Sequence, residues 1–271
     1  MSRPGEALSA SRPVLDLRGV TKLFGGIVAC KDISFTLPEG QIMGLIGPNG
    51  AGKTTAFNLI TGVYRVTAGS IHMEGEAITD QRPDRIVRRG VARTFQNIRL
   101  FRNLSVLDNV IIALDCHETY RLGASFLRLP GVRRRERALR EEAMSFLGAV
   151  GLEDKAAVRA DAMPYGLQRK LEIARALALK PRLLLLDEPA AGMNPEESLD
   201  LARLVRRIHD QFRLTTLLIE HHMDVVMALC ERIFVMNFGV QLAEGTAEEV
   251  QRDPDVLKAY LGEGFKRAQH I

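Results

Sequence analysis

Apolar residues fall along this chain in two textures, short continuous runs and longer amphipathic stretches, and the lengths of the two separate candidate strands from candidate helices. Residues 41–46, 183–186, 215–219 and 233–236 are continuous apolar runs bounded by polar or turn residues, as expected of strands covered on both faces. Alternation at 14–17 and 33–37, on either side of the turn signal Gly25-Gly26, predicts an antiparallel sheet, and 70–73, 91–95 and 240–243 read as further strands. Residues 53–61 read as a helix closed by Gly62, and a short basic helix is expected around 84–89. Asn194-Pro195 supplies a cap and a first-turn proline, after which Leu201, Leu204, Val205 and Ile208 fall on one helical stripe. Between about 97 and 161 the texture becomes helix-forming, notably at 107–114 and 133–150, so an inserted helical subdomain is the simplest account. Val256, Leu257, Tyr260 and Leu261 suit a docking helix at the tail, and residues 1–13, without periodicity, read as a loose arm before a single unit over 14–271. Strands alternating with helices predict an α/β fold with a parallel core sheet and an antiparallel β subdomain ahead of it.

Composition narrows the classes. With 271 residues, 46% hydrophobic and 26% charged, the chain can bury a sizeable core. No apolar run approaches the roughly 18 residues of a membrane-spanning helix, and the polar N-terminus lacks the apolar core of a signal peptide, so a cytosolic protein is expected. Cys30, Cys116 and Cys230 lack CxxC spacing and read as reduced, small core residues. A formal charge of +4 is too small an excess to name an acidic partner. The basic run at 133–137 reads as a solvated helix face, with Glu136–Arg140 and Arg137–Glu141 at ion-pair spacing.

The chemistry is concentrated in Gly47-Pro48-Asn49-Gly50-Ala51-Gly52-Lys53-Thr54-Thr55, which satisfies every fixed position of GxxxxGK[ST] between a predicted strand and a predicted helix. Glycines let the backbone curl so that successive N–H groups and the helix N-terminus face a polyphosphate, Lys53 adds a charge, and Thr54 offers a hydroxyl to Mg²⁺. Phosphoryl transfer to water also needs a held metal and a group that activates the water. Asp187 and Glu188, at the end of the leucine run, suit those roles, Asp187 towards the metal's water shell and Glu188 as base.

Asp187-Glu188-Pro189, the segment 165–177 before it and His221 after the next strand resemble the ATP-binding-cassette (ABC) ATPases, over nearly the whole chain beyond the arm. The resemblance implies a P-loop fold, with Phe24 stacking on adenine, Gln96 serving the metal and sensing the γ-phosphate and the transporter, and His221 contacting the γ-phosphate. Phe24-Gly25-Gly26, the segments 92–97 and 190–195, Ile219-Glu220-His221 and the tail 254–263 look like the larger ATP-binding subunit of branched-chain amino acid importers. The lipopolysaccharide-transport ATPase is similar in several of these segments, notably the tail, although its relatives usually carry an acidic residue where this chain has Asn194. The family signature Leu-Ser-Gly-Gly-Gln, which acts across the dimer on the partner's ATP, falls on Met163-Pro164-Tyr165-Gly166-Leu167; Pro164 and Leu167 depart from it. Pro164 has neither hydroxyl nor N–H to give. The resemblance thus implies an ATP- and Mg²⁺-dependent subunit that pairs with a second ATPase subunit, sits on the cytoplasmic face of the inner membrane, contacts permease subunits and is served indirectly by a periplasmic binding protein. A soluble cassette acting on nucleic acid would usually carry long arms or a fused second cassette, so no nucleic-acid partner is expected.

Overall fold

The computed structural model describes residues 13–116 and 130–260. In chain order the first half contains β1 (Pro13–Phe24), β2 (Ile27–Pro38), β3 (Ile42–Ile46), α1 (Lys53–Ile60), β4 (Ala68–Met73), β5 (Glu76–Ala77), α2 (Pro83–Arg88) and β6 (Val91–Arg93). The helices α3 (Val106–Asp115), α4 (Pro130–Val150) and α5 (Tyr165–Ala178) follow. The remainder is β7 (Leu183–Asp187), α6 (Pro195–Phe212), β8 (Thr215–Ile219), α7 (Met223–Leu229), β9 (Arg232–Asn237), β10 (Val240–Gly245) and α8 (Ala247–Arg252), with a last helix over 254–260.

Two sheets form. One is antiparallel with order β2-β1-β4-β5, the other six-stranded with order β10-β9-β3-β8-β7-β6. In the second, β3, β6, β7, β8 and β9 run parallel and β10 alone turns back. The leucine run shows why continuous apolar strands were expected. Leu184 and Leu186 pack into a core shared with α3 to α6, whereas Leu183 and Leu185 point into a second core between the two sheets, built around Phe57 of α1. Each face of β7 is therefore covered. The β1–β2 hairpin runs well past the alternating segment read from sequence, because register shifts after Leu17 and Val20 break the period without ending the strand.

The helix caps follow the local chemistry. Asn194 accepts from the N–H of Glu197 while Glu197 reaches back to the N–H of Asn194, and the stripe from Leu201 to Ile208 is buried. Helices α3, α4 and α5 pack on one another beside the parallel sheet. On α4 the charged face is exposed, but its ion pairs go elsewhere than expected: Arg135 meets Asp115 at 3.4 Å and Glu142 meets Lys180 at 2.6 Å. Neither Arg135 nor Glu142 belongs to the two expected pairs, and an exposed i,i+4 pair is worth only about 0.3–0.5 kcal/mol, little to set against the entropy of fixing two long side chains.

Two sequence expectations need correction. Cys30 and Cys230 are buried, and burial pushes their thiols to about 11 and about 12, but Cys116 at the end of α3 is exposed. In the tail, Val256 and Tyr260 pack on the core, whereas Leu257, one position off their i,i+4 face, is exposed; Leu261 and the arm 1–12 lie outside the described residues. Among the described residues no helix is long and apolar enough to cross a membrane.

Candidate functional site

The parallel sheet brings the predicted chemistry to one edge. β3, β7 and β8 lie side by side, with Leu45 and Asp187 both opposite Ile219, so the segments leaving their C-terminal ends emerge at one level. The segment after β3 is the glycine loop. Gly47 has φ 148° and a Cβ there would lie 2.0 Å from the Met236 carbonyl oxygen; at Gly52, φ 102°, it would lie 2.4 Å from that of Ala29. Only glycine fits either place. The loop is braced from below, where Gly239 N–H donates to Ala51 O (3.0 Å) and Lys31 N–H to Gly239 O (2.7 Å). The first turn of α1 has no side-chain cap and no acidic residue, which leaves its N-terminus electropositive. Lys53 is buried under the loop and its Nζ donates to the carbonyls of Gly47 (2.6 Å) and Pro48 (2.9 Å). Thr54, Asn49 and Gly50 are exposed, and Thr55 is half-buried.

At the end of β7, Asp187 is buried and Glu188 takes φ 48°, a left-handed conformation that costs a non-glycine residue about 1–2 kcal/mol. Its N–H is held by the Ile219 carbonyl at 2.9 Å. The Glu188 carboxylate is then bracketed: Gln96 Nε2 donates to one oxygen at 2.8 Å, and His221 Nε2 lies 2.5 Å from the other. Three residues far apart in sequence thus meet in one hydrogen-bonded set. Asp187 Oδ2 accepts from Arg93 Nη2 at 2.7 Å.

Two partners in this region carry no signal that sequence reasoning picked up. Arg93, at the end of β6, also donates to Asn58 Oδ1 (2.7 Å) and Thr61 Oγ1 (3.3 Å), and its guanidinium lies 5.4 and 5.1 Å from the ring centroids of Phe57 and Phe95. It ties the helix after the glycine loop to Asp187. Glu220, 1% exposed, accepts N–H bonds from Ala190 (2.8 Å), His221 (2.9 Å) and His222 (3.2 Å), and so ties the backbone just after Glu188 to that at His221. An acidic residue ending the apolar run of β8, as Asp187 ends that of β7, was the available cue.

Phe24 is no core aromatic: it is 40% exposed at the hairpin end, edge-on to Tyr64 at 5.1 Å, with Lys22 Nζ 4.7 Å above its ring. Met163 is buried and Pro164 is the N-cap of α5, whose first turn carries no side-chain cap and no acid. Tyr165 is exposed, Gly166 follows it in that turn, and Leu167 packs against the core.

For Mg²⁺, Thr54, Gln96 and Asp187 offer oxygen donors of the hard kind that ion takes. Among the described residues no group of three or more His, Cys, Asp or Glu could hold a metal by itself. Magnesium fits that donor set, since it is commonly bound by one or two carboxylates together with phosphate oxygens and water.

The sequence profile of the ABC transporter family matches residues 30–191, and a profile described as branched-chain amino acid ATP-binding cassette transporter matches residues 241–266. The chain belongs to the ABC transporter family. Its ATP hydrolysis is coupled to transport. This cassette is 45% identical to the high-affinity branched-chain amino acid transport ATP-binding protein BraF of Pseudomonas aeruginosa over 93% of its own length and 99% of the relative's. It is 42% identical to LivG of Escherichia coli, of the same description and with the same coverage. Identity to the lipopolysaccharide export system ATP-binding protein LptB of Escherichia coli is lower, 34%, over 93% of this chain and 98% of that one. Among solved structures, the ADP conformation of an ATP-binding cassette of an ABC transporter superposes with TM-score 0.81 at 30% identity, over 92% of this chain and 99% of that one. A dimeric post-hydrolysis cassette bound to ADP and Pi has TM-score 0.72 at 25% identity, over 86% and 98%.

Proposed function

We propose that this cassette powers import of branched-chain amino acids, as one of two ATPase subunits on the cytoplasmic face of the inner membrane beneath permease subunits fed by a periplasmic binding protein. The observation that carries the hydrolytic reading is the Gln96–Glu188–His221 set beside the uncapped phosphate loop. Glu188, held by both neighbours, takes the proton of the attacking water; Gln96 and His221 also face the γ-phosphate. Lys53 and the loop from Gly47 to Thr55 cradle the phosphates, and Phe24 stacks on the base. Mg²⁺, when bound, neutralises phosphate charge, with Thr54, Gln96 and Asp187 as the residues that would hold it. Residues 163–167 reach the partner's ATP. The substrate class is supported by the likeness to BraF and LivG over nearly their whole length, against the lower identity to LptB.

A cavity beside α5 supports the permease part of this reading. A cavity of about 420 Å³ separates α2 from α3 and α5, with Ile86, Val87, Phe101, Ile112 and Ala176 among its apolar walls and Arg99 and Arg175 beside them. That shape and lining suit the apolar face of a helix carrying acidic ends. The test is reconstitution of the cassette with its permeases, binding protein and sister ATPase in vesicles. Leucine, isoleucine or valine on the binding-protein side is expected to raise ATP hydrolysis. Stimulation by lipopolysaccharide or by DNA, with none by these amino acids, would transfer the assignment to an export or nucleic-acid ATPase.

A further inference from the structure

Among the described residues Arg169 is the largest wholly buried side chain, and it lies on α5 one turn after Tyr165. Its guanidinium donates from Nη1 to Phe95 O (2.7 Å) and Glu172 Oε2 (2.7 Å), and from Nη2 to Gln96 O (2.8 Å) and the Tyr165 hydroxyl (2.9 Å). Glu172 Oε1 in turn accepts the N–H groups of Phe95 (3.2 Å) and Arg99 (3.4 Å). Burial raises the carboxyl of Glu172, and the Arg169 charge works against that rise. A pair buried this deeply is a poor way to gain stability, because both charges lose their water. What the pair does gain is a grip on one loop. The pair holds residues 95–99 through two carbonyls and two N–H groups, and Arg175 of the same helix holds a third carbonyl, that of Arg99. That loop has two further connections: Phe95 and Arg99 line the cavity beside α2, and Gln96 holds the Glu188 carboxylate.

We propose that the Arg169–Glu172 pair is a positioning device that locks the 95–99 loop to the first turns of α5, so that a group seated in the cavity moves Gln96 and residues 163–167 as one body. Gln96 acts on the site where this chain supplies Glu188. Residues 163–167 act on the other site of a pair. One docking event would therefore set both sites together, through side chains that touch neither nucleotide. The inference rests on the reading that the cavity receives a permease segment.

The experiment compares the purified cassette with the complete transporter, for the native chain, Arg169→Lys, Arg169→Met and the double variant Arg169→Met with Glu172→Met. The double variant removes the stranded charge along with the clamp, so its melting temperature is expected to recover most of what Arg169→Met loses. Binding of a fluorescent ATP analogue to the isolated cassette is expected to be unchanged in Arg169→Lys and in the double variant. Stimulation of hydrolysis by the permeases is expected to fall by about 10-fold or more in the double variant, the equivalent of one lost hydrogen bond to a charged group, with Arg169→Lys in between. A purely structural role predicts instead that stimulation returns with the melting temperature; native stimulation in the double variant would overturn the proposal, and so would native stimulation in Arg169→Lys should the double variant not fold. If the native cassette itself is not stimulated by permeases, the cavity reading fails, and the inference with it.

Discussion

At the scale of single residues, exposure decides between roles that sequence left open. Phe24 could have filled the core; at the hairpin end it instead presents 40% of its surface, steadied by Tyr64 and Lys22. A ring held but uncovered is what a stacking platform requires. Phe24→Ala is expected to weaken nucleotide binding by about 1–3 kcal/mol, as measured for base–aromatic contacts, and titration with a fluorescent ATP analogue reads it. Equal affinities would leave the ring without that part. Glu188 tells a related story through its backbone, since a left-handed glutamate persists only where neighbours hold it, here the Ile219 carbonyl behind it and Gln96 and His221 in front.

At the scale of elements, most of the architecture was legible because the signals were local. The continuous runs at 183–186 and 215–219, the glycine loop and the Asn194-Pro195 cap each specify their own conformation, and each stands where it was read. What could not be read joins elements distant in sequence. Arg93 looks like one more arginine of a basic region, yet its pair with Asp187 is buried on both sides, 7% and 4% exposed, and spans β6, β7 and α1. The bracketing of Glu188 by Gln96 was hidden for the same reason, as was the grip of Arg169 on the 95–99 loop. The short helices α7 and α8 escaped, although the Thr246–Glu249 capping box that opens α8 was a cue in the sequence. Removing the Arg93 charge strands a buried carboxylate, so Arg93→Met is expected to destabilise the nucleotide-free cassette by about 3–5 kcal/mol, visible as a lowered denaturation midpoint. A midpoint within error of the native one would mean that Asp187 does not depend on Arg93.

At the scale of the whole molecule, the departures at Pro164 and Leu167 bear on how two cassettes share work. Pro164 is the N-cap of α5 and Leu167 is turned into the core, so neither offers a polar side-chain group to a phosphate, while Tyr165 and Gly166 keep the open first turn. Paired with a sister subunit whose signature is intact, this chain would form two unequal sites, and its own Lys53 would lie in the better one. Losing one hydrogen bond to a charged phosphate costs about 1.5–3 kcal/mol, a slowing of roughly 10- to 150-fold if the bond matters mainly in the transition state. Lys53→Ala is therefore expected to abolish most hydrolysis by the assembled complex, and the matching lysine change in the sister subunit to leave more; Pro164→Ser with Leu167→Gln should narrow the gap. Equal losses, with no gain from the restored signature, would mean that the helix N-terminus suffices.

The central claim is that Glu188, held between Gln96 and His221, activates the attacking water. Glu188→Gln keeps the shape and removes the base. In the assembled transporter it is expected to leave ATP affinity intact and to lower steady-state hydrolysis by about two to four orders of magnitude. Turnover at the native rate, with ATP bound as tightly, would contradict the account.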